Sequence, residues 1–102
     1  MFFIKPATYS YVPVPTRESR FAVDAEGVVT VEAPAKLLRR ARRVPLDKAG
    51  SFLWMQMDGQ NTVEDLIRAF HREFPKVKDP QPKVLQFLSS LRRDGLVEYK
   101  KP

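Results

Sequence analysis

Few side chains in this 102-residue chain could carry out chemistry, and none has a partner at a catalytic spacing. The absence of cysteine excludes disulfides, thiolate metal sites and a cysteine nucleophile. The single histidine, His71, has no second ligand or base at a recognised spacing and is expected on a helix surface. Asp58 precedes a glycine, which is typical of a turn, and Ser89 and Ser90 have no base nearby. We therefore predict a protein that is not an enzyme and that has no metal or cofactor.

The positive charge is concentrated in one short segment. Eighteen lysine and arginine residues against twelve acidic residues give a formal net charge of +6. Residues 36–43 contain no acid and hold five of these positive charges: Lys36, Arg39, Arg40, Arg42 and Arg43. Such a cluster suits an anionic partner such as an acidic peptide, a nucleic acid or a membrane surface, and it equally fits a solvated loop.

The apolar residues are spread along the chain. No apolar run approaches the roughly 20 residues of a membrane span. The apolar start of the chain is broken by Lys5 and Pro6, too early for the core of a secretory signal. We expect a cytoplasmic protein that does not enter a membrane.

The first half of the chain has the pattern of strands and turns. Residues 1–16 are proline-rich, which predicts an extended arm or an edge strand. Alternating apolar residues around Phe21 and Val29, separated by Glu26 and Gly27, predict a hairpin. A further short strand is predicted over residues 42–46, where Pro45 restricts it to a sheet edge.

Three helices follow, each marked by its ends. Asp47, Thr62 and Asp79 are predicted N-terminal caps, with Pro80 suited to a first turn. Gly59, Pro75 and Gly95 are predicted to end the helices. The isolated Gly50 is expected to allow close packing against a neighbour. Residues 96–99 are predicted as a terminal strand or an extended tail.

The element order predicts an α+β domain with a winged helix-turn-helix-like topology, in which an N-terminal three-stranded antiparallel sheet is followed by three helices. Residues 1–16 are predicted as the arm and residues 17–102 as the domain. The oligomeric state is left open between a monomer and a dimer formed by strand exchange of the arm.

From residue 44 onward the sequence resembles the coenzyme PQQ synthesis protein D family, whose fold is also called the RiPP recognition element. The resemblance is carried by Leu46-Asp47, Gly50-Ser51-Phe52, Trp54, Met57-Asp58-Gly59, Thr62-Val63, Phe70, Phe74, Phe87-Leu88, Leu91 and Gly95-Leu96-Val97. It implies a non-catalytic module that binds the leader of a ribosomal precursor peptide and presents it to a modifying enzyme. In pyrroloquinoline quinone biosynthesis that enzyme is a radical S-adenosylmethionine protein.

The resemblance also implies a binding site. The peptide adds as a strand beside the third strand, in the groove against the third helix. Carried over to this sequence, the site residues are Arg42, Arg43, Val44, Pro45, Leu46, Val84, Leu85, Leu88, Leu91 and Arg92. An exposed strand edge has unpaired N–H and C=O groups that an extended peptide can bind. Pro45 has no N–H, so it weakens either the added strand or the internal hairpin, according to the side its nitrogen faces.

Two other functions fit the same elements. A helix-turn-helix with a basic patch is typical of nucleic-acid-binding proteins, with Lys83 and Gln86 as candidate contacts. Against this, the presumed recognition helix begins Pro80-Gln81-Pro82, which leaves few side chains at the end that reaches bases. A scaffold that docks onto an enzyme without using its peptide groove is the third possibility.

Overall fold

Strands and helices are segregated along the chain in the computed structural model, which describes residues 9–35 and 40–101. The elements in order are β1 (Val12–Pro15), β2 (Arg20–Val23), β3 (Val29–Ala33), β4 (Arg42–Pro45), α1 (Lys48–Gln56), α2 (Val63–Glu73), α3 (Pro80–Arg93) and β5 (Val97–Lys100). The predicted α+β class, with antiparallel sheets and three helices, is confirmed, and the winged helix-turn-helix topology stays a prediction. The apolar start of the arm, together with Lys36 and Arg39 of the basic segment, lies outside the described residues.

The predicted hairpin forms the first two strands of a three-stranded antiparallel sheet with the order β2-β3-β4. Its turn closes around Asp24, whose carboxylate accepts hydrogen bonds from the N–H groups of Glu26 and Val28. Gly27 has a φ of +84°, a conformation that glycine adopts without steric cost. Val29 and Val31 of β3 are fully buried, so one face of this sheet covers the core.

A second, two-stranded sheet joins the two ends of the described chain, with β1 antiparallel to β5. The N–H of Thr16 donates to the carbonyl of Leu96 at 3.0 Å, which continues this ladder. Because backbone direction alternates along an antiparallel strand, Val14 also faces β5, while the nitrogens of Pro13 and Pro15 face away. The prolines therefore fall where no donor is needed, and β1 is an edge strand.

Two of the three predicted N-terminal caps form capping hydrogen bonds, whereas the side chain of Asp79 precedes α3 without one. The Asp47 carboxylate accepts from the N–H of Gly50 at 2.7 Å, and Thr62 forms a reciprocal capping box with Asp65. Asp58 has the predicted turn role, because its carboxylate accepts hydrogen bonds from the N–H groups of Gln60 and Asn61 at 2.9 and 3.0 Å. These backbone hydrogen bonds hold the pKa of Asp58 below its ordinary value.

The core lies between the inner face of the three-stranded sheet and the three helices. Its largest fully buried side chains include Trp54 of α1, Phe70 of α2 and Leu88 of α3. Ser51 connects two of these layers, because its buried hydroxyl accepts from the N–H of Val29 at 2.9 Å. This bond satisfies a backbone donor of β3 that would otherwise be buried without a partner.

Tyr99 of β5 makes the stability of the fold sensitive to alkaline pH. Burial raises the pKa of its phenol above the ordinary 10.0, and the nearby Arg92 opposes this effect in part. The folded state therefore holds the phenol proton more tightly than the unfolded state, so the Tyr99 contribution is full below pH 10.0 and is lost as the pH rises further. We expect Tyr99→Phe to reduce the loss of unfolding free energy across this range, measured by chemical denaturation. An equal loss in both proteins would contradict this assignment.

Candidate functional site

Strand β4 lies at an edge of its sheet, since β3 is its only neighbour in the order β2-β3-β4 of the described residues. The N–H of Leu46, just after the strand, donates to the carbonyl of Val29 on the neighbouring strand at 2.8 Å. Backbone direction alternates along an antiparallel strand, so Val44 and Arg42 also turn their N–H and C=O groups toward β3. The inner side of β4 is thus occupied by the ladder.

The backbone groups of Arg43 and Pro45 consequently face the open side. Arg43 offers an N–H and a C=O there, and Pro45 offers only its C=O. The proline weakens the outer edge and leaves the internal hairpin intact. A segment that pairs with this edge can therefore form hydrogen bonds, and it lacks the donor at Pro45.

Side chains on the inner face of β4 point toward the helices. Val44 lies opposite the buried Val31 and packs against the core. Arg42 and Leu46, two residues before and after it, share this face because side chains alternate along a strand. Arg43 lies opposite Glu32 on the other face, and the two form an ion pair at 3.5 Å.

An open groove of about 340 Å³ lies between β4 and α3. Val44 and Leu46 form its strand side. The helix side consists of residues spaced three or four apart, which places them on one stripe of α3 and its cap: Lys83, Gln86, Phe87, Ser90, Leu91 and Asp94. The groove thus runs along the open edge of β4, with an apolar strand wall and a mixed helix wall.

Helix α1 supports the groove from behind through Gly50. A side-chain carbon at this position would lie 2.9 Å from Cε1 of Phe87 and 3.3 Å from Cβ of Leu46. Only a residue without a side chain fits there unless its neighbours move. The predicted close packing at Gly50 is confirmed, and its neighbour is the groove wall.

Three of the ten predicted site residues line the groove, namely Val44, Leu46 and Leu91. Arg42 stands at one end of it, where its guanidinium pairs with Asp94 at 3.7 Å. Arg43 and Pro45 belong to the same strand, with their backbone groups on the open side.

The other predicted helix residues lie elsewhere on α3. Val84 and Leu88 have no exposed surface and belong to the core beneath the helix. Leu85 and Arg92 share a different flank, seven residues apart, and Arg92 lies over the Tyr99 ring at 5.1 Å from its centroid. Peptide contact by these four residues stays a prediction.

Sequence reasoning did not assign the polar half of the helix wall to a peptide site. Gln86, Ser90 and Asp94 lie four residues apart, next to the apolar stripe. The sequence shows these residues as a polar stripe that adjoins the buried apolar stripe of α3. The spacing of apolar residues identifies only the buried stripe of α3, because apolar side chains mark the face that packs against the core.

Other kinds of site have little support in the described part of the chain. No group of three His, Asp or Glu side chains there is placed to hold a metal ion. His71 is exposed on α2. None of the described helices is both long enough and apolar enough to cross a membrane.

Comparison with known proteins gives one family. The family model described as coenzyme PQQ synthesis protein D matches residues 37–97, more than half of the chain. The match covers β4, the three helices and the first residue of β5. A search of curated proteins gave no match.

Proposed function

Because this chain belongs to the coenzyme PQQ synthesis protein D family, a family of non-catalytic peptide-binding accessory proteins, we propose that it binds the leader of a ribosomal precursor peptide as an added strand on β4. The observation that carries this proposal is the open edge of β4 beside the groove against α3. Edge and groove together provide the two components of strand addition, backbone hydrogen bonds and side-chain pockets.

The backbone part of this binding is modest. The open edge provides the N–H and C=O of Arg43 and the C=O of Pro45, and each hydrogen bond contributes about 0.5–1.5 kcal/mol net. Because the Pro45 donor is missing, a peptide needs side-chain contacts in addition. An apolar side chain placed between Val44 and Leu91 supplies them by burial, at about 25 cal/mol per Å² of apolar surface.

The bound leader is then presented to a modifying enzyme, of the radical S-adenosylmethionine type if the pathway is pyrroloquinoline quinone synthesis. In this arrangement the domain raises the local concentration of the peptide at the enzyme. The yield of modified peptide should therefore rise when the wild-type domain is added to enzyme and precursor. A variant that does not bind the leader should give no such rise.

Two neighbouring serines of α3 provide a matched test of the groove. Ser90 lines it, whereas Ser89 is exposed and is not part of its lining. Ser90→Tyr places a ring in the groove, since helical side chains point back toward the preceding turn. Ser89→Tyr adds the same ring outside it.

We would select short random peptides on the wild-type domain by display and measure their affinities for both variants. Ser90→Tyr should weaken binding at least about tenfold, ~1.4 kcal/mol, and Ser89→Tyr by less than about twofold. Equal effects of the two substitutions would overturn the placement of the peptide. Binding of duplex DNA that depends on Lys83, in a domain that selects no peptide, would favour the nucleic-acid alternative.

A further inference from the structure

We propose that the groove continues past the Arg42–Asp94 ion pair into an arginine-lined depression that binds an acidic side chain of the peptide. The inference rests on the function proposed above and specifies the class of peptide. The acidic residue lies two positions from the apolar residue that occupies the groove. The depression therefore selects leaders with these two residue types at that spacing.

The depression lies where β4 begins and α3 ends. It has a volume of about 200 Å³ and is lined by three arginines and two acids: Arg40, Arg42, Arg93, Glu18 and Asp94. Asp94 also lines the groove, so the two cavities meet at this residue.

A second depression of about 320 Å³ adjoins the first and shares Glu18 and Arg42 with it. It adds Arg20, Arg43 and Glu32 to the lining. Across both depressions the lining contains five arginines and three acids, so the positive charge is in excess. A concave surface with excess charge of one sign favours a ligand of the opposite sign.

Ion pairs within the domain neutralise only some of these arginines. Asp94 pairs with Arg42 at 3.7 Å, and Glu32 pairs with Arg43 at 3.5 Å. Within the described ranges, Arg40 and Arg93 form no ion pair. Their planar guanidinium groups can each donate two parallel hydrogen bonds to a carboxylate.

The end of α3 would oppose an anion if its last carbonyls pointed freely into the depression. Several of them accept hydrogen bonds from the chain itself. The carbonyls of Ser90 and Leu91 accept from the N–H groups of Asp94 and Leu96, and the Gly95 carbonyl accepts from the Thr16 hydroxyl. These hydrogen bonds reduce the negative electrostatic potential at the end of α3. The arginines therefore make the potential in the depression positive.

Strand geometry fixes the spacing of the two peptide residues. Val44 faces the groove, and Arg42 faces the depression two residues earlier on the same side of β4. Residues i and i+2 of a strand lie about 7 Å apart and point to the same face. An added strand has the same repeat, so its apolar and acidic residues are separated by one position, in an order set by its direction.

Peptides selected by display on the wild-type domain should therefore be enriched in Asp or Glu two positions from Leu, Ile, Val or Phe. The affinity of one such acidic peptide is then compared with that of the same peptide carrying the amide in place of the acid. We expect the amide to weaken binding to the wild-type domain at least about fivefold at near-physiological salt. The same exchange should have a smaller effect on binding to Arg93→Gln, because that variant lacks one of the two arginines of the depression that form no ion pair among the described residues.

Arg72→Gln is the matched control, because Arg72 is exposed on α2 and lines neither the groove nor the two depressions. It should preserve the discrimination between acid and amide. If the wild-type domain does not discriminate, or if Arg93→Gln discriminates as well as the wild type, the inference is wrong. If the inference is wrong but Ser90→Tyr still weakens peptide binding, the proposed function stands. If Ser90→Tyr has no effect on peptide binding, both proposals are refuted.

Discussion

Val44→Asp is expected to abolish peptide binding, with a loss of at least about a hundredfold in affinity, ~2.7 kcal/mol. Val44 forms the strand wall of the groove together with Leu46, and it packs against the core. An aspartate there places a charge where the apolar side chain of the peptide would be buried, and it adds repulsion toward an acidic leader. Isothermal titration with a selected peptide measures the loss.

Val23→Asp is the control for this substitution. Val23 lies on β2, the other edge strand of the same sheet, and is 46% exposed. It should leave the affinity within about twofold. Because Val44 contacts the core, the melting temperature is measured for both variants. If Val44→Asp fails to fold, the Ser90→Tyr and Ser89→Tyr variants test whether the peptide binds in the groove. Retained affinity in a folded Val44→Asp protein would show that the peptide binds elsewhere.

Phe70→Ala should lower the free energy of unfolding by about 3–5 kcal/mol. Phe70 lies on α2 and is 2% exposed, and the centroid of its ring lies 4.9 Å from that of Phe74. Its removal leaves a cavity that the surrounding helices fill only in part. A domain of this size has a total unfolding free energy of about 5–15 kcal/mol, so the variant loses a large share of it. Denaturation with urea, monitored by circular dichroism, gives the difference.

Substitution of an exposed phenylalanine by alanine is the control for Phe70→Ala. Phe21 is 48% exposed on β2 and contacts Trp54 edge to face at 5.8 Å. Phe21→Ala should cost less than about 1.5 kcal/mol, the value of one aromatic pair. Similar losses for the two variants would show that Phe70 does not lie in the core.

Elements with local signals could be predicted from the sequence. Asp47 and Thr62 cap helices at the expected positions, and Gly27 and Gly59 have the positive φ values that turns require. Each of these signals acts over three or four residues. The position of Pro75 after α2 belongs to the same class.

The pairing of β1 with β5 could not be predicted in this way, because it joins residues from opposite ends of the chain. Its one local signal is the alternation of Val12, Pro13, Val14 and Pro15. That alternation places both proline nitrogens on the same side of the strand, and it shows that the arm can be an edge strand. The alternation does not identify β5 as the strand that pairs with β1.

The candidate site was predictable at the strand and less so at the helix. Val44 and Leu46 follow from the position of the edge strand. On α3 the apolar period selects Val84 and Leu88, which the core covers completely. The groove wall includes Ser90, which is polar and exposed and whose role appears only when β4 lies beside it.

The central claim, that a peptide adds to β4 in the groove against α3, is tested most directly by amide chemical shifts of the labelled domain. One sample receives a selected acidic peptide and a second receives short duplex DNA, each at low and at near-physiological salt. We predict peptide-induced shifts at residues 42–46 and along the groove side of α3 that persist in salt. Peptide shifts confined to β2, or salt-sensitive shifts with DNA and none with the peptide, would contradict the claim.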